Sequence, residues 1–164
     1  MKLNNKMEII TKNATETKKL GALLAQTIVS SSYKGAARGG KKNQNAIIIS
    51  LEGDLGSGKT TFTQGFAGGI GIKEKIQSPT FVILKIYKIV QHLMLNNFVH
   101  IDAYRTGAKN LKILSWRDFV KNPRNIILIE WGDRIKKILP KSTLRIIFHH
   151  GENPNERSIQ LFNI

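Results

Sequence analysis

Gly53-Asp54-Leu55-Gly56-Ser57-Gly58-Lys59-Thr60 has glycine, glycine, lysine and a hydroxyl at the fixed positions of G-x-x-x-x-G-K-[ST]. That spacing suits the capture of a phosphate chain. Gly53, Gly56 and Gly58 let the backbone curl so that successive N–H groups point at one anion. Lys59 is expected to reach the β- and γ-phosphates of a nucleotide, and the Thr60 hydroxyl to ligate Mg2+. The plain alternative is a Gly-rich strand-to-helix turn with a solvated lysine, and the flanking segments argue against it. The loop indicates a nucleotide without saying what the nucleotide drives.

A metal-dependent phosphate site also needs an acid near the metal, often at the end of an apolar strand. Glu130 closes the run Ile126-Ile127-Leu128-Ile129, and Asp102 closes Phe98-Val99-His100-Ile101. Either suits holding Mg2+, directly or through water, or orienting an attacking water. The structural alternatives are a helix N-cap for Glu130 and an ion pair with Arg105 for Asp102. Ser78-Pro79-Thr80-Phe81 offers Thr80 as a contact to the metal or the attacking water, though a β-turn explains the tetrapeptide as well. Arg105 is a candidate for neutralising charge on a phosphoryl group. His100 reads as a satisfied strand histidine rather than a base, and His149 and His150 have no metal-ligand spacing with other residues.

These residues need elements to hold them. Ala46 to Leu51 is an apolar, β-branched run that reads as a buried strand ahead of the loop, and Thr60 to Phe66 opens a helix behind it. Glu8-Ile9-Ile10 is a short first strand. Asn13-Ala14-Thr15-Glu16 has capping-box spacing, and Leu20, Leu23, Leu24, Thr27 and Ile28 form an apolar face on a helix from about Thr15 to Ser30. Residues 30–45 are polar and aperiodic, and are expected to form an exposed, mobile surface loop. Phe81–Val90 pairs with Phe98–Asp102 across a turn. Thr106 to Asn125 holds short helices and loops, with Trp116, Phe119 and Val120 as core contacts. Asp133–Leu139 reads as a helix stopped by Pro140, and Leu144–His149 with Ser158–Phe162 as a closing hairpin. The expected fold is an α/β, P-loop NTPase-like sandwich: a central, mostly parallel sheet flanked by helices, with antiparallel hairpin additions.

The 164 residues fit a single domain, and 41% apolar content fits a globular one. No apolar run is long enough for a membrane span, and the start does not resemble a secretory signal. With no cysteine, disulfides, thiol catalysis and Cys-ligated metal are excluded, and a cytoplasmic address is the simplest expectation. The net charge of +15 suits attraction to nucleic acid or to an acidic partner. The abundance of Ile, Lys and Asn fits A+T-rich coding equally well.

In order and spacing, the P-loop with Thr61, Ser78-Pro79-Thr80-Phe81, His100-Ile101-Asp102-Ala103-Tyr104-Arg105 and Leu128-Ile129-Glu130-Trp131 resemble the TsaE (YjeE) family over about Thr15 to Arg157. These are bacterial P-loop ATPases of tRNA threonylcarbamoyladenosine synthesis. The resemblance implies slow ATP hydrolysis with Mg2+. It also implies association with a TsaD–TsaB complex, whose turnover that hydrolysis supports, and contact with tRNA through the complex. By motif it assigns the nucleotide to Asp54, Leu55, Gly56, Ser57, Gly58, Lys59, Thr60 and Thr61, and Mg2+ to Thr60 and Glu130. Chemistry around the γ-phosphate falls to Lys59, Thr80, Asp102 and Glu130, and Trp131 takes a packing role beside the metal carboxylate. Ser57 stands where the family usually has Ala, and Thr106-Gly107-Ala108-Lys109-Asn110 replaces a usually acidic segment. Arg157 matches a late family arginine only loosely.

Two other readings compete. A small-molecule kinase would want an arginine-rich lid after the P-loop helix, and Gly65 to Ser78 contains no arginine. A basic RNA-binding module with a remnant ATP site would not need to keep Lys59, Thr60, Asp102 and Glu130 together. A GTPase is disfavoured because no guanine-reading Asn-Lys-x-Asp segment is present.

Overall fold

A computed structural model describes residues 6–37, 44–77, 83–90, 92, 94–105 and 115–163, with backbone alone for 32–37. Strands β1 (Lys6–Thr11), β2 (Ile47–Gly53), β3 (Leu84–Lys88), β4 (Asn97–Asp102), β5 (Asn125–Glu130), β6 (Leu144–His150) and β7 (Arg157–Phe162) form one sheet. Their order is β1-β7-β6-β2-β5-β4-β3. The middle four, β6-β2-β5-β4, run parallel, while β7, β1 and β3 add to the sides antiparallel. The expected parallel centre with antiparallel hairpins is therefore observed.

The period-2 alternation of strand side chains divides the core into two layers. Ile49 and Leu51 of β2, Phe98 of β4, and Ile126 and Leu128 of β5 face helices α1 (Ala14–Ala37) and α2 (Lys59–Gly69). Ile48, Val99, Ile127 and Ile129 face the other way, towards α3 (Trp116–Lys121) and a 3-10 helix (Gly132–Ile138). Trp116 is buried there with Phe119 and Val120 against it, as their spacing predicts. By the same alternation, His100 and Asp102 share Phe98's face, and Glu130 shares Leu128's. Both carboxylates thus end parallel strands on the α2 side, paired in register as Asp102↔Glu130. Ligand sites of parallel sheets lie at this carboxyl edge.

α1 begins with a reciprocal cap. The Glu16 N–H donates to Asn13 Oδ1 at 2.9 Å, and Glu16 Oε2 accepts the Lys12 N–H at 2.7 Å. α1 and α2 then cross with backbones nearly touching. A Cβ at Gly65 would lie 2.0 Å from the Lys18 carbonyl oxygen, and one at Gly21 2.4 Å from that of Phe62. Glycine costs helix propensity, but here it allows the close crossing. Gly65→Ala must push the helices apart, and the expected loss of stability is about 3 kcal/mol, at the upper end for overpacking. Chemical denaturation measures it; an unchanged midpoint would contradict the observed crossing.

Two sequence expectations need correction. The helix predicted to end near Ser30 continues to Ala37, so residues 30–37 are helical rather than loop. A formed helix gains one hydrogen bond per added residue, and this stretch contains no proline to stop it. Residues 133–138 of the expected helix lie in the 3-10 helix, distorted at Ile135 (φ −119°), rather than in an α-helix, and Leu139 is its extended C-cap. Residues 38–43, 78–82 (with Thr80) and 106–114 lie outside the described residues. No helix among the described residues is long and apolar enough to cross a membrane.

Candidate nucleotide-phosphate site

β2 delivers the chain into the Gly-rich loop at the centre of the sheet, and α2 starts from its far end. Gly53 has φ 132°, and a Cβ there would sit 2.3 Å from the Phe148 carbonyl oxygen, so this first position accepts only glycine. Gly58, at φ 99°, is the N-cap of α2 and has no side chain to cover the first-turn N–H groups. Those donors and the helix dipole therefore face the loop.

Lys59, the first residue of α2, is only 4% exposed. Its Nζ donates to the carbonyl oxygens of Gly53 and Asp54, both at 2.7 Å, and to Ser57 Oγ at 3.3 Å. The ammonium also stands 3.7 Å from the ring centre of Trp131, a cation–π contact. Burial pushes the Lys59 pKa below its ordinary value, and Glu130, Asp133, Asp54 and Asp102 pull the other way.

Glu130, 2% exposed, is the hub of the site. Thr60 Oγ1 donates to its Oε2 at 2.7 Å, Thr63 Oγ1 approaches its Oε1 at 3.3 Å, and His100 Nε2 lies 2.9 Å from the same Oε1. The N-cap alternative for Glu130 does not hold. The 3-10 helix starts from Trp131, and its cap receives no side-chain hydrogen bond. Trp131 takes a left-handed conformation (φ 62°), unfavourable for a bulky residue, and the turn lays its ring over Lys59. Gly132 makes this turn possible, since a Cβ there would meet Ser50 Oγ at 2.0 Å. Beside Glu130, Asp102 is 7% exposed and its Oδ1 accepts the Tyr104 N–H at 2.9 Å.

Leu55, Gly56, Lys59, Thr60, Asp102, Tyr104, Glu130 and Trp131 line one cleft of about 290 Å³. Lys59, Thr60, Asp102 and Glu130, expected from sequence to act together, thus converge. Asp54, Ser57, Gly58 and Thr61 are not lining residues. Asp54 and Ser57 instead hold the lysine, Gly58 starts the helix, and Thr61 sits on its first turn. Tyr104 and Trp131 form an aromatic wall, with ring centres 4.9 Å apart, and the Arg134 guanidinium lies 4.5 Å over Tyr104.

Several contributors were not assigned a role from sequence. Thr63 is one, although its position three residues beyond Thr60 on the same helix face was a usable signal. Across the sheet, Arg157 Nη2 donates to the Gly56 carbonyl at 3.1 Å, and His150 Nε2 lies 3.3 Å from that of Leu55. These two residues are cross-strand partners at the end of the β6–β7 hairpin where the 151–156 loop joins its strands. The loop is therefore held from outside as well as from within.

A strand–loop–helix unit in a parallel sheet, with its lysine and hydroxyl beside a strand-end acid, defines a P-loop-type protein. Residues 11–159 match the family model described as Threonylcarbamoyl adenosine biosynthesis protein TsaE. The chain belongs to the TsaE family. It is 36% identical over 104 residues to the tRNA threonylcarbamoyladenosine biosynthesis protein TsaE of Haemophilus influenzae, covering 63% of this chain and 63% of that one. With the Bacillus subtilis protein of the same name it shares 37% identity over 68% of this chain and 66% of the relative. The chain thus spans just under two thirds of those two relatives. With the Nostoc protein it shares 29% identity over 99% of this chain and 91% of the relative. The crystal structure of Bacillus subtilis YdiB superposes with a TM-score of 0.72 at 27% identity, covering 99% of this chain and 88% of that one.

Proposed function

We propose that the cleft binds ATP with Mg2+ and hydrolyses it slowly, as the ATPase component of tRNA threonylcarbamoyladenosine synthesis. The observation that carries this is the Thr60–Glu130 pair at the cleft, with oxygens 2.7 Å apart beside the Lys59 ammonium. Thr60 and Glu130 are hard oxygen donors of the kind Mg2+ takes, and together they would hold the ion at the cleft. Phosphate and water would complete the shell. When bound, the ion would neutralise charge building between the β- and γ-phosphates.

The chain's own residues supply the rest. Lys59 gives up its two carbonyl acceptors for phosphate oxygens, a charge-assisted exchange that recovers part of its burial cost. Glu130 accepts from Thr60 and His100, which suits it to the metal side. Asp102, the neighbouring lining carboxylate, then suits the orientation of the attacking water. Thr80 remains a proposed contact to the γ-phosphate. Water attacks the γ-phosphorus, the bond to the bridging oxygen breaks, and ADP and phosphate leave.

The names of the relatives support the biological setting, and the proposed partners are TsaD and TsaB homologues in the cytoplasm, with tRNA reached through them. ATPase activity of the purified protein, measured alone and with those partners and tRNA, tests the proposal. Weak activity alone that rises severalfold with the partners is expected. Activity indifferent to them but raised by a small phosphoryl acceptor would favour a kinase instead.

A further inference from the structure

We propose that His100 is a positioning residue for Glu130: it fixes which carboxylate oxygen faces the metal side of the cleft. The inference rests on the Mg2+–ATP reading above. His100 is fully buried on β4, its ring 6.3 Å from that of Phe98 and only 19° from parallel to it. Its Nε2 lies 2.9 Å from Glu130 Oε1, while its Nδ1 is buried with no hydrogen-bond partner among the described residues. A nitrogen buried without a partner is unfavourable, and an apolar side chain would fill the same slot without that penalty. The single polar contact of the ring is therefore the one that accounts for a histidine here. It also sets the tautomer: the hydrogen sits on Nε2 and donates to Oε1.

The geometry around Glu130 then sorts by side. His100 holds Oε1 from the protein interior, the Thr63 hydroxyl nearby being shared with the Lys59 carbonyl, and Thr60 takes Oε2 at the cleft. Without the His100 donor, the carboxylate is free to turn its Oε1 away from the interior, and the Thr60–Glu130 oxygen pair no longer has a fixed spacing. Hydrogen bonds of this kind behind a metal-binding carboxylate typically affect metal affinity about 10–100-fold. Nucleotide held by the loop and Lys59 alone does not depend on them.

The test compares ATP affinity by calorimetry in EDTA and in Mg2+, together with Mn2+ binding to the nucleotide complex by electron paramagnetic resonance. His100→Leu and His100→Met both fill the apolar slot and lack the donor, so whichever folds carries the test. His100→Gln brings an amide N–H close to the position of Nε2. The apolar variants are expected to keep wild-type affinity in EDTA, within about twofold. They should lose about tenfold or more of the Mg2+-dependent gain, with a matching loss of Mn2+ affinity, and His100→Gln should restore most of both. Equal losses in EDTA and Mg2+, no loss in either, or a glutamine variant as poor as the apolar ones would overturn the inference. Wild-type protein that binds no nucleotide under either condition would overturn the Mg2+–ATP reading itself, and this inference with it.

Discussion

Lys59→Ala is expected to lower ATP affinity by ~100-fold or more, corresponding to about 3 kcal/mol, the upper range for hydrogen bonds to a charged group. The lysine is the only cation among the described residues that line the cleft, and it is already desolvated. Little further burial cost therefore opposes its transfer from the Gly53 and Asp54 carbonyls to phosphate. The sign of the accompanying pH effect also follows. Phosphate favours the ammonium form, so binding is strongest where Lys59 is charged. Because burial depresses its pKa, wild-type affinity should begin to fall below pH 10.5, the ordinary lysine value. Lys59→Ala should lack that fall. Calorimetric titrations of both proteins across the alkaline range measure both effects. Wild-type affinity in the alanine variant would remove Lys59 from the site.

Glu130→Ala should separate binding from turnover. The loop and Lys59 remain, so affinity for metal-free ATP should stay within a few-fold of wild type. Mg2+-dependent hydrolysis should fall by about 10²–10³, the scale of losing one preorganised electrostatic contact in a water-poor site. The substitution also strands two groups that now donate to the carboxylate, the Thr60 hydroxyl and the His100 Nε2. A lower melting temperature is therefore expected alongside, and single-turnover rates should be compared well below it. Hydrolysis at the wild-type rate would place the metal elsewhere.

These two residues were legible in the sequence because each sits in a short-range pattern. Lys59 occupies a fixed position in the glycine-lysine-hydroxyl motif, and Glu130 ends an apolar run that could only be a buried strand. The same local logic located β2, β5 and the β6–β7 hairpin, and it anticipated the Asn13–Glu16 cap. It failed where the outcome depends on distant chain. Nothing near His100 in sequence announces Glu130, thirty residues on. The parallel pairing of β4 and β5, set by tertiary packing, brings the two side chains together on the α2 side of the sheet. The same holds for Arg157, which meets Gly56 across 101 residues because β6 lies directly beside β2. Trp131 read as a packing residue, but its left-handed backbone puts the ring on the Lys59 ammonium. The end of α1 was misjudged for another reason. Ser, Tyr and Gly between Ser30 and Ala37 are individually weak helix formers, yet extending a helix already capped and packed against α2 is easier than starting a new one.

The central claim is that the Lys59–Thr60–Glu130 cleft is an Mg2+–ATP site, and the most direct test is calorimetric titration of ATP into the wild-type protein with Mg2+ and with EDTA. One nucleotide per chain is expected in both conditions, bound more tightly with Mg2+. No binding at millimolar ATP, or an affinity indifferent to the metal, would contradict it.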